Sequence, residues 1–543
     1  MGQRMRWRLL ALLSFLTLLL TSLLPASPAT GATKLPPDVV GHWAAEPIAY
    51  VIEAGIMQGY PDGTFKPDAP ISRGEVYTLL ARQSGLASAG IMALPAGWSR
   101  DHWSAPSGAA LIQAGILIPA EEPGGGDWDA PITRASLARL LMRLQGRSAP
   151  QRGINQLIPD IQGRVDSAWI STAVAQGLMT GYPDGSFGPD HSFTRAQTAV
   201  VIQRLRDPDT RPKLWREAYR YTLPGGQAVN LQVVRANLRH PQVKVKTLWS
   251  PEGMGHTLSL ADMANNAGAV AAINGTYFSA YNKQEIQDPY GALISDGRVL
   301  HLTGSRRPAF GVWPDGRARI DTFHATITGS TNGKSTWPDG WYAYAINHNG
   351  GEFGDNWVTI MTPDRGPTMG FDAGLSVVVR GGQVVERREG AVPIPQDGYV
   401  ISLGGAERAN FAKLFPTGTS VDWQVNLTGS WPSVSELVQA GPMLVRNGQT
   451  DIDFGRDEFS EAKITEWVYN RSAVGLTKDG TMLMVTADAV KVVDLAPLML
   501  DLGAVDALCM DSGASSGLYY NGGYLWEPGR LLTNGIGIVV EGH

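Results

Sequence analysis

One motif recurs three times in the first 207 residues of this 543-residue chain and constrains its fold more than any other feature. In each copy, an apolar stretch at helical spacing is followed by a turn, and a Ser or Thr then precedes an arginine. The arginines are Arg73, Arg134 and Arg195, each 61 residues after the one before. Because Pro-Asp-Gly favours a turn and Ser or Thr caps a helix, each repeat is predicted to be a helix, a turn and a second helix.

This pattern resembles the surface-layer homology (SLH) family, over about residues 34–207. The resemblance implies repeats at residues 34–88, 89–147 and 153–207 that form an all-α, three-pronged module. It also implies binding of secondary cell-wall polysaccharide, often pyruvylated, with Arg73, Arg134 and Arg195 at the glycan-binding grooves. A guanidinium suits this role because it can form paired hydrogen bonds with a carboxylate. The alternative is that these arginines are surface residues at helix N-termini.

Two details differ among the repeats. Repeat two has a Glu-Pro-Gly-Gly-Gly turn and ends its second signature at Ser136 instead of Glu, so we expect its groove to bind weakly or not at all. Trp43, Trp103 and Trp169 lie near the first helix of each repeat. We expect them to be core residues rather than platforms for sugar rings.

The N-terminus reads as a targeting segment. Three arginines precede an apolar run from Leu9 to Leu24, and small residues follow it, which predicts a signal peptide over residues 1–32. The alternative is an uncleaved membrane anchor. No later stretch reaches about 18 apolar residues, so we expect no membrane span after cleavage. The predicted location is outside the cell, on a bacterial cell wall or surface layer.

The composition of the chain argues against several kinds of partner and fold. The net charge of −5 argues against a nucleic-acid partner. Cys509 is the only cysteine of the sequence, so no intramolecular disulfide and no cysteine-based metal cluster can form. The 64 glycines and 35 prolines favour many strands and turns over helical bundles.

A linker is predicted at residues 208–222, and a second domain at residues 223–543. Four motifs follow one another in it: Asn-Gly-Thr-Tyr-Phe from Asn274, Gly-Pro-Met-Leu from Gly441, Arg-Ser-Ala from Arg471, and the Asp-Ser-Gly-Ala-Ser stretch from Asp511. This order resembles the phosphodiester glycosidase family, of the N-acetylglucosamine-1-phosphodiester alpha-N-acetylglucosaminidase type. The resemblance implies a mixed α+β catalytic domain that cleaves between a sugar anomeric carbon and a phosphodiester oxygen.

Three residues are the catalytic candidates. Arg471 is expected to hold the phosphate, because a guanidinium matches phosphate geometry, and its alternative is a structural ion pair. Asp511 is expected to act as the base for water or as the nucleophile, and its alternative is a turn residue. Asn274 is expected to bind sugar or phosphate, unless it simply forms a turn.

Other residues are predicted to bind substrate or to be runner-up acids. Glu285 and Asp288 are the runner-up acids, although solvated loop charges would look the same. The predicted substrate-binding residues are Ser515, Ser516, Gly275, Thr276 and Arg530.

No cofactor is firmly predicted. The histidines show no ligand spacing, so a zinc site is not expected. Scattered aspartates leave a divalent cation such as Ca²⁺ open, but no ligand loop of recognisable spacing is present.

The sequence is compatible with three functions. The first is a wall-anchored hydrolase whose repeats bind wall polysaccharide and whose C-terminal domain cleaves sugar-1-phosphodiester bonds in envelope or exopolysaccharide glycans. The second is a non-catalytic glycan-binding or surface-layer protein, favoured by Thr276, Ser512 and Ala514, which stand where the family has glycines. The third is a two-carboxylate glycosidase on neutral polysaccharide, ranked last because no carboxylate pair is evident.

Overall fold

The computed structural model describes residues 35–86, 94–122, 124–146, 154–281, 286–353, 356–371, 374–406 and 408–542. The predicted signal peptide and Glu285 lie outside these residues. Within them, no helix is both long enough and apolar enough to cross a membrane.

Helices dominate the described N-terminal part and are sparse in the rest of the chain. They are α1 Ala45–Glu53, α2 Arg73–Gln83, α3 Ala105–Gln113, α4 Arg134–Leu144, α5 Ser167–Ala175, α6 Arg195–Arg206, α7 Leu260–Asn266, α8 Arg408–Ala412, α9 Ala462–Thr465 and α10 Val492–Asp501.

The three repeats close into a ring through their backbones. The amide of Ile71 donates to the carbonyl of Phe193, Phe193 donates to Ile132, and Ile132 donates back to Ile71, at 2.9, 2.9 and 3.1 Å. The next residue of each repeat is Ser or Thr, and its hydroxyl caps the second helix of that repeat. The N-cap residues are extended, which is why neighbouring segments can pair as strands do.

The prediction of an all-α repeat module is therefore wrong. Isolated β-bridges join the repeats, and the strand Ile154–Gln156 lies in the third one. The prediction of a mixed α+β second domain is also wrong, because this part is built mainly from antiparallel sheets with a few short helices. The reason is visible in the burial pattern: alternating and fully buried strands supply nearly the whole core here.

The tryptophan prediction fails at two of three positions. Trp43 and Trp103 are 66% and 60% exposed, because each lies two residues before its helix begins. Trp169 lies inside α5 and is 8% exposed. A glycine in the left-handed conformation follows the first helix of each repeat. The third-repeat residue at the same distance before that glycine as Trp43 is Val165, which is also exposed. Trp169 is therefore not the structural equivalent of Trp43 and Trp103.

The strands form four sheets. They are β1 Ile154–Gln156, β2 Leu214–Thr222, β3 Ala228–Asn237, β4 Val243–Trp249, β5 Ala271–Asn274, β6 Leu293–Ser295, β7 Arg298–Thr303, β8 Arg307–Val312, β9 Ala318–Phe323, β10 Ala325–Thr331, β11 Gly340–Ala343, β12 Ala345–Ile346, β13 Asn356–Met361, β14 Leu375–Arg380, β15 Gln383–Glu389, β16 Gly398–Gly405, β17 Val421–Leu427, β18 Glu436–Gln439, β19 Met443–Arg446, β20 Gln449–Thr450, β21 Tyr469–Thr477, β22 Thr481–Val490, β23 Ala504–Cys509, β24 Leu518–Tyr520, β25 Gly523–Trp526 and β26 Asn534–Val540.

Sheet order places the motif strands side by side. The sheets run β1-β2-β3-β22-β21-β23-β19-β20, β25-β24-β5-β26-β4, β15-β14-β16-β13-β12-β7-β6-β18-β8-β9 and β11-β10-β17. The first two and part of the third pack around one apolar core that includes Val474, Ile273 and Phe310. The predicted linker, residues 208–222, includes β2, which pairs with β1 of the third repeat and with β3. This segment is therefore built into the sheet.

Candidate functional site

A cavity of about 970 Å³ opens where β21 begins and β23 ends. The amide of Met510 donates to the carbonyl of Ser472 at 2.8 Å, so Asp511, which follows Met510, and Arg471, which precedes Ser472, reach the same end of the sheet. Both line the cavity, together with three further predicted residues: Ser515, Ser516 and Arg530.

Asp511 is the carboxylate at the base of this cavity. Removal from water raises its pKa to about 6, and this outweighs the Ser515 hydroxyl, the Ser512 amide and the positive charges of Arg530 and Lys463, which lower it. The Ser512 amide donates to Oδ1 at 2.7 Å. Asp511 is thus ionised at neutral pH but exchanges a proton near it, as a base for water requires.

Arg471 is a buried cation whose hydrogen bonds go to uncharged groups. Its Nε donates to the carbonyl of Val490, and its Nη2 donates to the carbonyls of Lys463 and Trp467, at 3.3, 3.1 and 2.6 Å. The side chain is 1% exposed. These bonds fix the guanidinium without neutralising it, and none of the described residues forms with it the ion pair of the alternative prediction.

Three other cations line the cavity. Across the described part of the chain, no carboxylate lies within ion-pair distance of Arg307, Arg471 or Arg530, whereas Lys463 pairs with Glu461 at 2.6 Å. Carboxylates line the wall as well: Glu352, Glu458, Glu461, Asp511 and Glu527. The cavity therefore has three unpaired guanidiniums within a mixed-charge rim.

The first three residues of the Asn274 motif do not line the cavity, whereas the Tyr277 and Phe278 that follow them do. Asn274 is 1% exposed, and its Nδ2 donates to the Asp511 carbonyl at 2.7 Å. The carbonyl of Gly275 accepts from the Asp511 amide at 3.0 Å, and a Cβ on Gly275 would overlap Asn534. The Thr276 amide donates to Asn534 Oδ1 at 2.7 Å. Asn274 and Gly275 thus hydrogen-bond to the backbone of Asp511, and substrate contact by these three residues stays a prediction.

Ser512 and Ala514, which stand where the family has glycines, are accommodated in the Asp511 loop. Ser512 has an extended backbone that any residue adopts, and its hydroxyl donates to the Met510 carbonyl at 3.0 Å. Ala514 is exposed at the cavity wall, next to Gly529. Ser516 donates to the carbonyl of Asn470 at 3.1 Å.

Asp288, the runner-up acid, is buried away from the cavity. Its carboxylate accepts from Arg365 Nη1 at 2.6 Å and from the Asn349 amide at 2.7 Å. Burial would raise the pKa of Asp288, but the charge of Arg365 prevails and the pKa is lowered. Asp288 is therefore a structural ion-pair partner.

Within the described ranges, no group of three or more His, Cys, Asp and Glu side chains is arranged to hold a metal. Calcium binding stays a prediction.

The SLH arginines lie in grooves between repeats. Arg195 of repeat three donates to the carbonyls of Phe65 and Gln58 in the repeat-one turn, and its guanidinium pairs with Glu75 at 2.9 Å. The ring of Tyr60 packs against it, with 4.7 Å from guanidinium to ring centre. Its charge is thus neutralised within the module.

Arg134 makes the same contacts one groove further on, but without the carboxylate. It donates to the carbonyls of Phe187 and Thr180 in the repeat-three turn and packs on Tyr182. The residue equivalent to Glu75 in this groove is Gln197, at the same capping position of its helix. Burial lowers the pKa of Arg134, and no ion-pair partner is found for it among the described residues.

Arg73 faces the divergent turn of repeat two, where it donates to the carbonyl of Gly124. Each groove therefore combines the turn of one repeat with the arginine of another. The unusual turn of repeat two changes the surroundings of Arg73 and leaves those of Arg134 intact.

Several cavity residues had no sequence signal. Arg307 begins β8, Lys463 lies in α9, and Glu352 lies in a short 3-10 helix at 350–353. Tyr281 is 80% exposed at the rim, within 3.5 Å of Arg530. These residues are far apart in sequence and belong to no motif, so only the sheet packing brings them together.

Comparisons with known proteins match both parts of the chain. An S-layer homology domain model matches residues 37–76 and 165–199, two of the three predicted repeats. A phosphodiester glycosidase model matches residues 373–539. The chain therefore contains segments similar to S-layer homology domains, followed by a segment similar to phosphodiester glycosidases.

Two curated relatives and one solved structure are similar to part of the chain. An uncharacterized cell wall amidase of Bacillus anthracis is 28% identical over 233 residues, 42% of this chain and 42% of the relative. The cellulosome-anchoring protein of Acetivibrio thermocellus is 28% identical over 163 residues, 30% of this chain and 24% of that protein. A hypothetical protein from Synechocystis has a similar fold, with a TM-score of 0.54 and 22% identity over 60% of this chain and 62% of its own.

The chain spans less than half the length of these two curated relatives. An S-layer protein of Bacillus licheniformis, 27% identical over 186 residues, is a further match, over 32% of this chain and 20% of that protein. With the S-layer homology segments, these matches confirm the predicted location: the protein is secreted and lies at the cell surface.

Proposed function

We propose that the C-terminal domain is a phosphodiester glycosidase that cleaves sugar-1-phosphodiester bonds in envelope glycans. One observation carries the proposal: the buried guanidinium of Arg471 has no counter-charge within ion-pair distance among the described residues, and it lies at the same sheet end as Asp511. Burying an uncompensated charge is costly, and an anionic ligand in the cavity would remove that cost. A phosphodiester supplies that anion and matches a guanidinium in geometry.

The chemistry follows from these two groups. A phosphate monoester is a good leaving group, so the reaction needs little acid assistance. Arg471, helped by Arg530, holds the phosphate and stabilises the charge that develops as the bond to the anomeric carbon breaks. Asp511 either takes a proton from the attacking water or attacks the anomeric carbon itself. The products are a reducing sugar and a phosphomonoester.

The experiment is hydrolysis of a panel of sugar-1-phosphodiesters by the full chain, compared with the Arg471→Lys and Asp511→Asn variants. Release of reducing sugar that both variants lose, while thermal unfolding shows them folded, is the expected result. Equal turnover in the wild type and both variants would overturn the assignment of the site.

For the N-terminal module we propose binding of an acidic secondary cell-wall polysaccharide, with the Arg134 groove as the main anion site. Arg134 donates to two turn carbonyls and packs on a tyrosine, as Arg195 does. Unlike Arg195, it has no carboxylate beside it among the described residues. A carboxylate such as that of a pyruvyl group could occupy the position that Glu75 takes beside Arg195. Co-sedimentation of the full chain with cell-wall sacculi, before and after removal of wall polysaccharide, tests this; binding that survives removal would refute it.

A further inference from the structure

A second cavity, of about 790 Å³, adjoins the candidate catalytic cavity. The two share three wall residues: Tyr290, Arg307 and Glu352. A ligand that extends past Arg307 therefore passes from one cavity into the other. Arg307 is one of the three unpaired guanidiniums, so the junction is itself a place for an anion.

The outer wall of the second cavity is one face of the β11-β10-β17 sheet. Thr326 and Thr328 alternate with buried residues along β10, and Tyr342 of β11 is directly opposite Thr328. Tyr342 is 50% exposed. Asn426 of β17 donates to the Thr328 hydroxyl at 2.9 Å. Aromatic rings beside hydroxyl and amide groups are the surface that sugar rings need, because a pyranose has an apolar face and polar edges.

We propose that the second cavity is a glycan subsite, which holds the sugar chain that stays esterified to the phosphate after cleavage. The substrate is then an oligomeric or polymeric glycan phosphodiester, and not a single sugar joined through phosphate to a small alcohol. This inference rests on the proposed function, since it assigns the group beyond the phosphate.

Isothermal titration calorimetry, which measures the affinity of the full chain for two phosphomonoesters, tests the subsite. The probes are 6-phosphorylated N-acetylglucosamine and 6-phosphorylated chitotriose, which share the phosphate and differ in length. We expect the trisaccharide to bind about tenfold more tightly, from contacts of its added rings with the sheet face. Tyr342→Ala should remove this difference and leave the monosaccharide unchanged, whereas Tyr342→Phe, which keeps the ring, should retain it.

Equal affinity of the two probes, an unaffected Tyr342→Ala variant, or no binding of either probe would overturn the subsite. Arg471→Lys separates this from the function itself, because it should weaken both probes equally. If Arg471→Lys has no effect while the length preference persists, the phosphate assignment fails and the glycan subsite stands.

Discussion

Asn274 donates a hydrogen bond from its Nδ2 to the main-chain carbonyl of Asp511, 2.7 Å away. Its Oδ1 accepts from the amide of Gly517 at 3.0 Å. One buried amide side chain thus holds both ends of the loop that carries the candidate catalytic carboxylate. Asn274, the first residue of the motif, therefore helps to fix that loop.

Asn274→Ala should destabilise the protein and impair turnover together. Two buried main-chain groups would lose their partners, at about 1–3 kcal/mol each. We expect kcat to fall more than KM changes, because Asp511 moves while the phosphate-binding arginines stay. Chemical denaturation and steady-state kinetics measure the two effects. Asn155→Ala, which removes an exposed amide bonded to Gln162, is the matched control and should behave as wild type. Wild-type stability in Asn274→Ala would contradict this role.

Asp511 should impose an acidic limit on activity. Its pKa is raised to about 6, chiefly by burial, so turnover that needs the carboxylate should rise as pH increases through 6 and level off above 7. A pH profile of kcat/KM measures this. Asp511→Asn should abolish turnover at every pH, while Asp397→Asn, a change to an exposed ion-paired carboxylate, should not. A profile without an acidic limb near pH 6 would count against Asp511.

The raised pKa of Asp511 also predicts that removal of its charge stabilises the folded protein. The pKa of Asp511 is higher in the folded state than the ordinary value near 4, so the ionised form opposes folding above pH 6. This penalty disappears as the pH falls through 6. Asp511→Asn should therefore raise the melting temperature at pH 7.5, and the difference from wild type should vanish by about pH 4. A variant that melts lower than wild type at pH 7.5 would contradict the raised pKa.

Arg471→Lys should lower turnover by about 10²–10³-fold, as loss of one preorganised charge-stabilising group does. Lysine keeps the charge but cannot make the three carbonyl bonds that fix the guanidinium. Arg317→Lys is the control, since Arg317 is 73% exposed in its side chain and paired with Asp315 on a hairpin. Turnover within twofold of wild type in Arg471→Lys would remove Arg471 from the site.

A reciprocal exchange tests the wall-binding grooves. Gln197→Glu should place a carboxylate beside Arg134 and weaken sacculus binding by about tenfold, the scale of one partly buried charge interaction. Glu75→Gln should free Arg195 and strengthen binding or leave it unchanged. Both residues occur at this capping position in the chain, so both variants should fold. Co-sedimentation at two salt concentrations measures binding. Undiminished binding by Gln197→Glu would place the anion site elsewhere.

The sequence predicted local features well. The arginine spacing, the hydroxyl caps and the strand ends that carry Arg471 and Asp511 follow from short-range rules, and the structure has them. The repeats were expected to be all-α because periodicity reports helices clearly. The ring of backbone hydrogen bonds through Ile71, Ile132 and Phe193 joins residues about 60 apart and leaves no local signal.

The site was predictable only in part. Asp511, Arg471 and Arg530 meet at one cavity, because they end or follow strands of adjoining sheets. Arg307 could not be predicted, since its place depends on how β8 packs across the core. The supporting role of Asn274 was also hidden: a motif shows which residues recur near a site, and not whether a side chain faces the ligand or the loop behind it.

The position of bond cleavage tests the central claim most directly. A sugar-1-phosphodiester is hydrolysed by the full chain in water enriched in ¹⁸O, and the phosphomonoester product is weighed by mass spectrometry. If water or Asp511 attacks the anomeric carbon, the phosphomonoester carries no label and the oxygen from water goes to the sugar. Label in the phosphomonoester would mean attack at phosphorus, and it would contradict a glycosidase reaction at Asp511 even if turnover is fast.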